Sequence, residues 1–210
     1  PEINKEKHEV AFTFFLNPNR RVYVRRINVS GNNRTRDEVI RREVRQMEGS
    51  WYAADKINKS RNRIDRLDYF TDVNVETPAV ADTTDQVDVN FSVNEKPTGN
   101  LMLGLGYGSS GGLALQGSLT QNNVFGSGNY LSAQVNSGKL NKVYALSYTN
   151  PYYTVDGISR GFDIYKRNVD PDSVSLGKYK TSTLGGAIRF GVPLTDDSNF
   201  SVSLGGERVE

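Results

Sequence analysis

The chain has 210 residues, a net charge of +2 and no cysteine, so it allows one large or two small domains but no disulfide and no thiolate metal site. Its single histidine, His8, excludes a histidine-pair metal site and a Ser-His-Asp catalytic set within the chain. We therefore predict no metal, no other cofactor, no catalytic residue and no enzymatic activity.

Charge and glycine are distributed unevenly, with an abrupt change at Lys96-Pro97. Residues 1–97 hold 33 of the 50 charged side chains and two of the 20 glycines, whereas residues 98–138 hold no charge. The change predicts a charged soluble module followed by a second part of a different kind. No stretch approaches the ~18–20 apolar residues of a transmembrane helix. The mean hydropathy of -0.56 still permits a β-barrel, in which half of each strand faces water.

The first module is basic between Arg20 and Arg66, where 14 Lys or Arg stand against six Asp or Glu. Such a surplus attracts phosphate, in nucleic acid or in anionic head groups. Two solvated helix faces produce the same surplus, and the composition of the second part disfavours nucleic acid. We predict no nucleic-acid partner.

The chain begins in a segment that contains a strand. Val10, Phe12, Phe14 and Leu16 alternate with other residues, which predicts a strand over residues 9–16. No partner strand is evident in this segment, so we assign residues 1–21 to the end of a preceding domain. No signal peptide is present, and we expect a fragment of a longer precursor.

Residues 22–96 form a unit that opens with a strand and a helix. The strand covers residues 22–29 and shifts phase at Arg25-Arg26, as a β-bulge does. Thr35 and Glu38 form a capping box that opens the helix, and Gly49 ends it. The spacing of three apolar residues predicts the buried face of this helix: Ile40, Val44 and Met47.

A second helix and two strands complete this unit. The helix runs from about Ala54 to Leu67, with Ile57, Ile64 and Leu67 inward. Apolar residues predict one strand near 70–76 and another near 87–93. The order is β-α-α-β-β, an α+β fold of about 75 residues, which is enough for a small independent core.

A charged group on the first helix has two interpretations. On the helical period set by Ile40, Glu43 lies off the buried stripe, among arginines. The group is either a solvated ion-pair face or a docking surface for another protein, with charge-assisted contacts. The residues of this candidate docking surface are Arg41, Arg42, Glu43 and Arg45.

The strand at 70–76 is a candidate sheet edge. Exposed edges either carry protective groups, a role open to Asp72 and Asn74, or bind extended peptides by strand addition. The residues of this candidate capture edge are Phe70, Thr71, Asp72, Val73, Asn74 and Val75.

The part after Pro97 alternates with period two, as Leu101, Leu103 and Leu105 show. Uncharged apolar residues on one side and short gaps rich in Gly, Asn and Ser are typical of strands with lipid outside and water inside. Most of the strands have nine to eleven residues, the length that crosses a bilayer at a tilt of ~45°. We predict antiparallel transmembrane strands at 99–108, 112–121, 129–138, 142–150, 158–167, 181–191 and 199–208.

Seven strands form only part of a barrel. Bacterial single-chain barrels have an even number of strands, and an open edge cannot face lipid unpaired. We expect the rest of the barrel beyond Glu210 or from a partner. The longest connection, 168–180, is extracellular if the soluble module is periplasmic, because long loops of such barrels lie outside.

Several stretches carry a family resemblance. The β-α-α-β-β unit resembles a polypeptide-transport-associated (POTRA) domain, the last before a barrel, through Ser30-Gly31-Asn32, Arg41-Arg42-Glu43 and Met47-Glu48-Gly49. Residues 93–99 with 104–108 resemble the junction at which the barrel of a POTRA-plus-barrel protein begins, as do residues 121–128 and 149–157. Residues 1–20 resemble the end of the penultimate POTRA domain. The resemblance covers nearly the whole chain.

The resemblance implies an outer-membrane assembly factor that folds and inserts client β-barrel proteins. It implies a barrel of about sixteen strands, POTRA domains in the periplasm, accessory lipoproteins as partners, and a weak seam between the first and last strands. The edge of the first strand then receives an incoming client strand, and glycines there let the backbone deform. The residues of this edge are Asn100, Leu101, Met102, Leu103, Gly104, Leu105, Gly106 and Tyr107.

Two other functions compete with this one. A transporter of the two-partner secretion type also combines POTRA domains with a sixteen-strand barrel, but exports one dedicated substrate. The matches at 104–108 and 150–157 favour the assembly factor. An outer-membrane enzyme on a barrel is disfavoured because no paired catalytic residues are evident.

Overall fold

The computed structural model describes residues 2–4, 9–11, 21–108, 112–171, 179–195 and 198–210. At its start, β1 (Glu2–Asn4) pairs antiparallel with β2 (Glu9–Ala11). The strand predicted over 9–16 is therefore present in its first three residues, and residues 12–16 lie outside the described part. The expectation that it lacks a partner in its own segment is wrong, because β1 supplies one.

The predicted β-α-α-β-β order of this unit is confirmed. It consists of β3 (Tyr23–Ser30), α1 (Asp37–Arg41), α2 (Ala54–Asp65), β4 (Phe70–Glu76) and β5 (Gln86–Glu95). The sheet order is β3-β5-β4, with β3 parallel and β4 antiparallel to the central β5. The register of β3 shifts between Val24 and Ile27, where the sequence predicted a bulge.

The core of this unit lies between the sheet and the two helices. Ile57 and Ile64 of α2 are buried as predicted, and Leu67 packs against the core from its margin. Neither helix among the described residues is long or apolar enough to cross a membrane. The largest fully buried apolar side chains are Phe91, Ile40, Ile64, Val24, Val39 and Val89.

The first helix differs from its prediction. It has five residues, starts after Arg36 without a side-chain cap, and continues as turns. The capping box is therefore wrong: the Thr35 hydroxyl instead accepts a hydrogen bond from Asn123 Nδ2 at 2.8 Å. The predicted inward position of Met47 is also wrong, because this side chain is 72% exposed.

Hydrogen bonds between residues three positions apart explain why the buried face of the first helix changes along the chain. The N–H of Glu43 donates to the carbonyl of Ile40, and the N–H of Val44 to that of Arg41. Such bonds tighten the backbone to about three residues per turn, which aligns positions i, i+3 and i+6. Ile40, Glu43 and Gln46 consequently share the buried face, with exposures of 0%, 4% and 3%.

The second part is one antiparallel sheet of seven strands in chain order. The predicted strands are confirmed as β6 (Gly99–Gly108), β7 (Gly112–Gln121), β8 (Tyr130–Ser137), β9 (Asn141–Asn150), β10 (Ser159–Val169), β11 (Thr181–Pro193) and β12 (Asn199–Val209). A short 3-10 turn, Val124–Gly126, lies between β7 and β8.

The register places apolar residues on one face of this sheet. Directly opposed residues of neighbouring strands point to the same side. Leu101, Leu119, Ala133, Leu146 and Ile164 therefore form one row across five strands. The opposite face carries polar residues, among them Ser132, Ser147, Asp163 and Arg189. We call these the apolar face and the polar face of the seven-stranded sheet.

Candidate functional site

The first strand of the seven-stranded sheet is paired along one edge only. All ten residues of β6 are opposed by residues of β7, from Gly99 with Gln121 to Gly108 with Gly112. Among the described residues, no strand pairs with its other edge. All of β6 is exposed, and Leu105 and Tyr107 reach 76% and 82%. The eight residues predicted as a client-binding edge thus lie on one strand that offers alternate N–H and C=O groups outward.

The glycines of β6 are not required by crowding. A Cβ atom built on Gly104 or Gly106 meets no atom nearer than 3.9 Å. Their effect is conformational, because glycine weakens a strand through its larger entropy loss and its missing side chain. Among the described residues, the first strand is therefore exposed and paired along one edge, and its glycines lower its intrinsic stability.

A short turn between β7 and β8 joins this sheet to the β-α-α-β-β unit. The amide of Asn123 donates to Thr35 Oγ1 at 2.8 Å, and the N–H of Arg36 donates to the carbonyl of Gly126 at 2.9 Å. A Cβ atom on Gly126 would lie 1.9 Å from the Arg34 carbonyl oxygen, so only glycine permits this approach. Tyr69 Oη donates to the carbonyl of Gly128 at 3.2 Å.

A buried charge cluster forms the second half of this junction. Glu43 Oε2 accepts from Arg63 Nη2 at 2.7 Å, and the two side chains are 6% and 17% exposed. The same Arg63 nitrogen donates to Tyr152 Oη at 3.3 Å. The Arg42 guanidinium stacks on the Tyr152 ring at 4.2 Å. We name Arg42, Glu43, Arg63 and Tyr152 the junction cluster.

The environment of the junction shifts three pKa values. Burial raises the pKa of the Tyr69 phenol. Burial and then the Glu43 carboxylate raise the pKa of Tyr152. Burial opposes ionisation of Glu95, but hydrogen bonds from the Thr35 and Arg34 N–H groups outweigh it and lower its pKa. Glu95 is therefore ionised at neutral pH and holds the segment before α1 against the end of β5.

The junction cluster corrects the prediction for Glu43. The sequence placed this residue on a solvated or partner-facing surface, yet it is 4% exposed and pairs with α2. The reason is the change of helical period after Ile40, which turns Glu43 inward. Arg42 also turns toward Tyr152, whereas Arg41 and Arg45 of the predicted docking surface are exposed. The docking role stays a prediction.

Sequence reasoning missed the partners of Glu43. Along the sequence, Arg63 lies 20 residues from Glu43, and Tyr152 lies 89 residues from Arg63. The signal was present in part, since residues 149–157 were singled out for their family resemblance. Nothing local connects Tyr152 with the first helix.

The predicted capture edge lies on β4, which is an outer strand of the three-stranded sheet. Two of its outward groups already have partners. Arg61 Nε of α2 donates to the Val73 carbonyl at 2.9 Å, and the Val75 N–H donates to Asn74 Oδ1 at 3.0 Å. Side chains therefore shield part of this edge, as protected sheet edges require. Peptide capture stays a prediction.

Known proteins resemble this chain in two consecutive parts. The family model for POTRA, described as surface antigen variable number repeat, matches residues 22–96. The model for the Omp85 superfamily domain matches residues 123–210.

Individual relatives extend the similarity over the whole chain. Outer membrane protein assembly factor BamA of Neisseria meningitidis is 39% identical over 211 residues, which is 100% of this chain and 26% of the relative. The crystal structure of Haemophilus ducreyi BamA lacking POTRA domains 1–3 is 34% identical, with a TM-score of 0.77 over 99% of this chain and 39% of that one. CdiB from Acinetobacter baumannii, 13% identical with a TM-score of 0.58 over 90% of this chain and 39% of that one, shares the fold.

Replacement of Glu43 by alanine tests the junction cluster. It leaves the cations of Arg63 and Arg42 without their carboxylate, and loss of one partner of a buried ion pair costs about 3–5 kcal/mol. We expect the β-α-α-β-β unit to move relative to the sheet. Spin labels at Lys59 and Leu140 of the full-length protein should show a broadened distance distribution. The control Glu38→Ala, whose side chain is 70% exposed, should leave the distribution narrow. An unchanged width of the distance distribution in Glu43→Ala would show that the junction cluster does not hold the β-α-α-β-β unit in place against the sheet.

Replacement of Arg61 by alanine tests the shielding of β4. It frees the Val73 carbonyl, and a hydrogen bond contributes about 1 kcal/mol, or roughly fivefold in binding. A photocrosslinking residue at Asp72 should therefore capture an added ten-residue peptide of alternating Val and Thr severalfold more efficiently. Lys59→Ala on the same helix, where Lys59 pairs with Asp55 at 3.4 Å, is the control and should change nothing. Equal capture by Arg61→Ala and the parent would show that Arg61 does not guard the edge.

Proposed function

We propose a function on the premise that this chain belongs to the Omp85 superfamily and carries a POTRA domain directly before its barrel strands. It is part of an outer-membrane protein assembly factor, which folds and inserts client β-barrel proteins. The names of relatives such as Neisseria meningitidis BamA support this role. The chain spans 26% of that relative, so the activity of the whole protein is inferred from one part of it.

One observation supports the mechanism: β6 is fully paired with β7 on one side and unpaired with any described strand on the other. The outer strand β12 is also paired on one side only, and the family resemblance is what assigns the client-binding role to β6. Unpaired backbone groups are very unfavourable in the hydrocarbon core, because no water is there to bond them. An incoming strand that pairs with this edge removes the cost for both chains. Strand addition at Asn100–Tyr107 is therefore the step by which a client begins to fold.

The low intrinsic stability of β6 suits repeated use of this edge. A client must first pair with β6 and later leave it, so the pairing has to be adequate but not permanent. Gly104 and Gly106 reduce strand stability without being needed for close packing. We propose no covalent step and no enzyme, since the free energy comes from client hydrogen bonding and from burial of client side chains in lipid.

The membrane position follows from the two faces of the sheet. The apolar face contacts lipid and the polar face lines the interior of a larger barrel. The POTRA domain touches the turns 123–128 and 151–157, which lie at one end of the strands. We place this end in the periplasm and the hairpin 138–140 at the cell exterior.

Accessory lipoproteins of the assembly complex are proposed to dock on the POTRA domain. Arg41 and Arg45 are the exposed members of the predicted docking surface. Arg45 also lines a cleft of about 610 Å³ between the POTRA domain and the turns at the periplasmic end, together with Arg42 and Arg63. An acidic partner surface complements these arginines.

Site-specific photocrosslinking tests strand addition. A probe at Leu105 lies on the free strand, whereas one at Leu115 lies directly opposite on β7 and at the same height. In cells that produce a nascent barrel, we expect Leu105 to crosslink many different clients through their terminal strands, with at least tenfold less product at Leu115. Crosslinks to one secreted protein alone would instead indicate a two-partner secretion transporter. Equal yields at both positions would contradict edge pairing.

Cysteine labelling tests the orientation. The chain has no cysteine, and Leu140 and Val155 are 37% and 99% exposed at opposite ends of the strands. With any other cysteines of the full-length protein replaced, we expect Leu140→Cys to react with an impermeant maleimide in intact cells. Val155→Cys should react only after the outer membrane is permeabilised. The reverse pattern would overturn the proposed orientation.

A further inference from the structure

Basic residues on the apolar face of the seven-stranded sheet cluster near one rim. Lys166 of β10 lies directly opposite Tyr144 of β9 and Leu184 of β11, and Leu184 lies opposite Arg208 of β12. Opposed residues share a face, so Lys166 and Arg208 point to the side of Phe162 and Leu204. They lie toward the end of the strands that is distant from the POTRA domain.

A second row extends the cluster by one step. Lys142 of β9 lies opposite Asn168 of β10, which lies opposite Ser182 of β11. This row has the same parity as the first, so Lys142 is also on the apolar face. Lys142, Lys166 and Arg208 are all exposed. We name these three residues the distal basic rim.

A cleft adjoins the distal basic rim. Its volume is about 410 Å³, and it is lined by Lys139, Lys142 and Lys180 together with Asp170 and Glu210. Both acids are already engaged: Lys180 Nζ lies 3.0 Å from Asp170, and Arg208 Nη2 lies 2.5 Å from Glu210. Among the described residues of the rim and cleft, five lysines and arginines stand against two acids, so this described part carries a net positive charge.

The other end of the same face is different. Arg160 lies there, but its guanidinium stacks 3.7 Å above the Tyr153 ring and 5.1 Å from that of Phe162. Its charge is therefore held against aromatic rings. On the polar face, Arg189 Nε pairs with Asp163 at 2.6 Å, so this cation is neutralised inside. The distal rim thus carries the exposed basic side chains that border the apolar face.

We propose that the distal basic rim binds the phosphate groups of anionic lipids in the membrane leaflet distant from the POTRA domain. The proposal rests on the proposed function in one respect, because it takes the apolar face to contact lipid. Lysine and arginine stems lie along apolar surface while their charged ends reach the head groups. Row by row, apolar Phe162 and Ile164 give way to Lys166 at the depth where such head groups begin.

Charge complementarity favours a lipid surface over a protein partner. The bases lie along the boundary of the apolar face, on β9, β10 and β12. A leaflet of anionic lipids presents phosphates along the same line. Each Lys or Arg near an anionic surface strengthens binding by roughly fivefold. Because Arg208 already pairs with Glu210, Lys142 and Lys166 carry most of the effect and together give about 25-fold.

Lipid retention by the full-length protein tests the proposal. The protein, in an uncharged detergent, is mixed with equal amounts of phosphatidylglycerol and phosphatidylcholine, and bound lipid is counted by native mass spectrometry. We expect phosphatidylglycerol to be retained in preference. Lys142→Gln and Lys166→Gln combined should weaken this retention by about 25-fold, and Lys166→Gln alone by about fivefold. Addition of Arg208→Gln should weaken it little further, because Arg208 already pairs with Glu210.

Arg167→Gln is the matched control, because Arg167 is the next residue on β10 and points to the polar face. Equal losses in Arg167→Gln and Lys166→Gln would overturn the assignment to the lipid-facing rim. Equal retention of both lipids by the unsubstituted protein would overturn it as well. If the lipid-free protein retains inorganic phosphate at the same residues with the same affinity, the rim is a site for a soluble anion instead.

Two further measurements separate this proposal from the others. Retention of phosphatidylglycerol by the unsubstituted protein should fall as salt rises, because salt screens exposed charges. Retention that does not fall would contradict a phosphate contact. A heat-modifiable gel shift reports whether the combined variant retains a folded barrel. Client assembly by the unsubstituted protein is measured in parallel. Absence of assembly with lipid selectivity intact contradicts the proposed function alone, and assembly without lipid selectivity contradicts the lipid site alone.

Discussion

The requirement that backbone polar groups be paired in hydrocarbon governs this structure. A sheet that crosses a membrane can leave an N–H or C=O unpaired only at high cost, so every strand needs two neighbours. Strands β7 to β11 have them, whereas the two outer strands, β6 and β12, are each paired along one edge among the described residues. Each outer edge therefore favours pairing with a further strand, and we propose the edge of β6 as the one that receives a client.

The POTRA domain is coupled to that strand by position. Glu95, which binds the N–H groups of Arg34 and Thr35, lies four residues before Gly99. The N–H of Lys96 donates to the Tyr69 carbonyl, and that of Asn122 to the Thr98 carbonyl. Together with the junction cluster, these bonds hold the segment before β6 against the POTRA domain and the turn after β7.

The sequence predicted the parts that depend on local pattern. Alternation of apolar residues located all seven strands, because a residue's side of a strand is set by its position alone. The prediction for the first helix failed because two hydrogen bonds of a tighter turn change the period after Ile40, which places Glu43 in the interior instead of on the surface. The partners Arg63 and Tyr152 could not be predicted, since they meet Glu43 only through the tertiary arrangement. The open edge of a partial sheet followed from the odd number of strands, whereas the choice of β6 as the client-binding edge comes from family resemblance and stays a prediction.

Hydrogen exchange of the β6 amides tests the central claim most directly. In the full-length protein without client, alternate amides between Asn100 and Tyr107 should exchange rapidly, because they point away from β7, while their neighbours are protected. Addition of a folding client should protect the fast set and leave the amides of β7 unchanged. Protection of all β6 amides before client is added, or no change after it, would contradict strand addition at this edge.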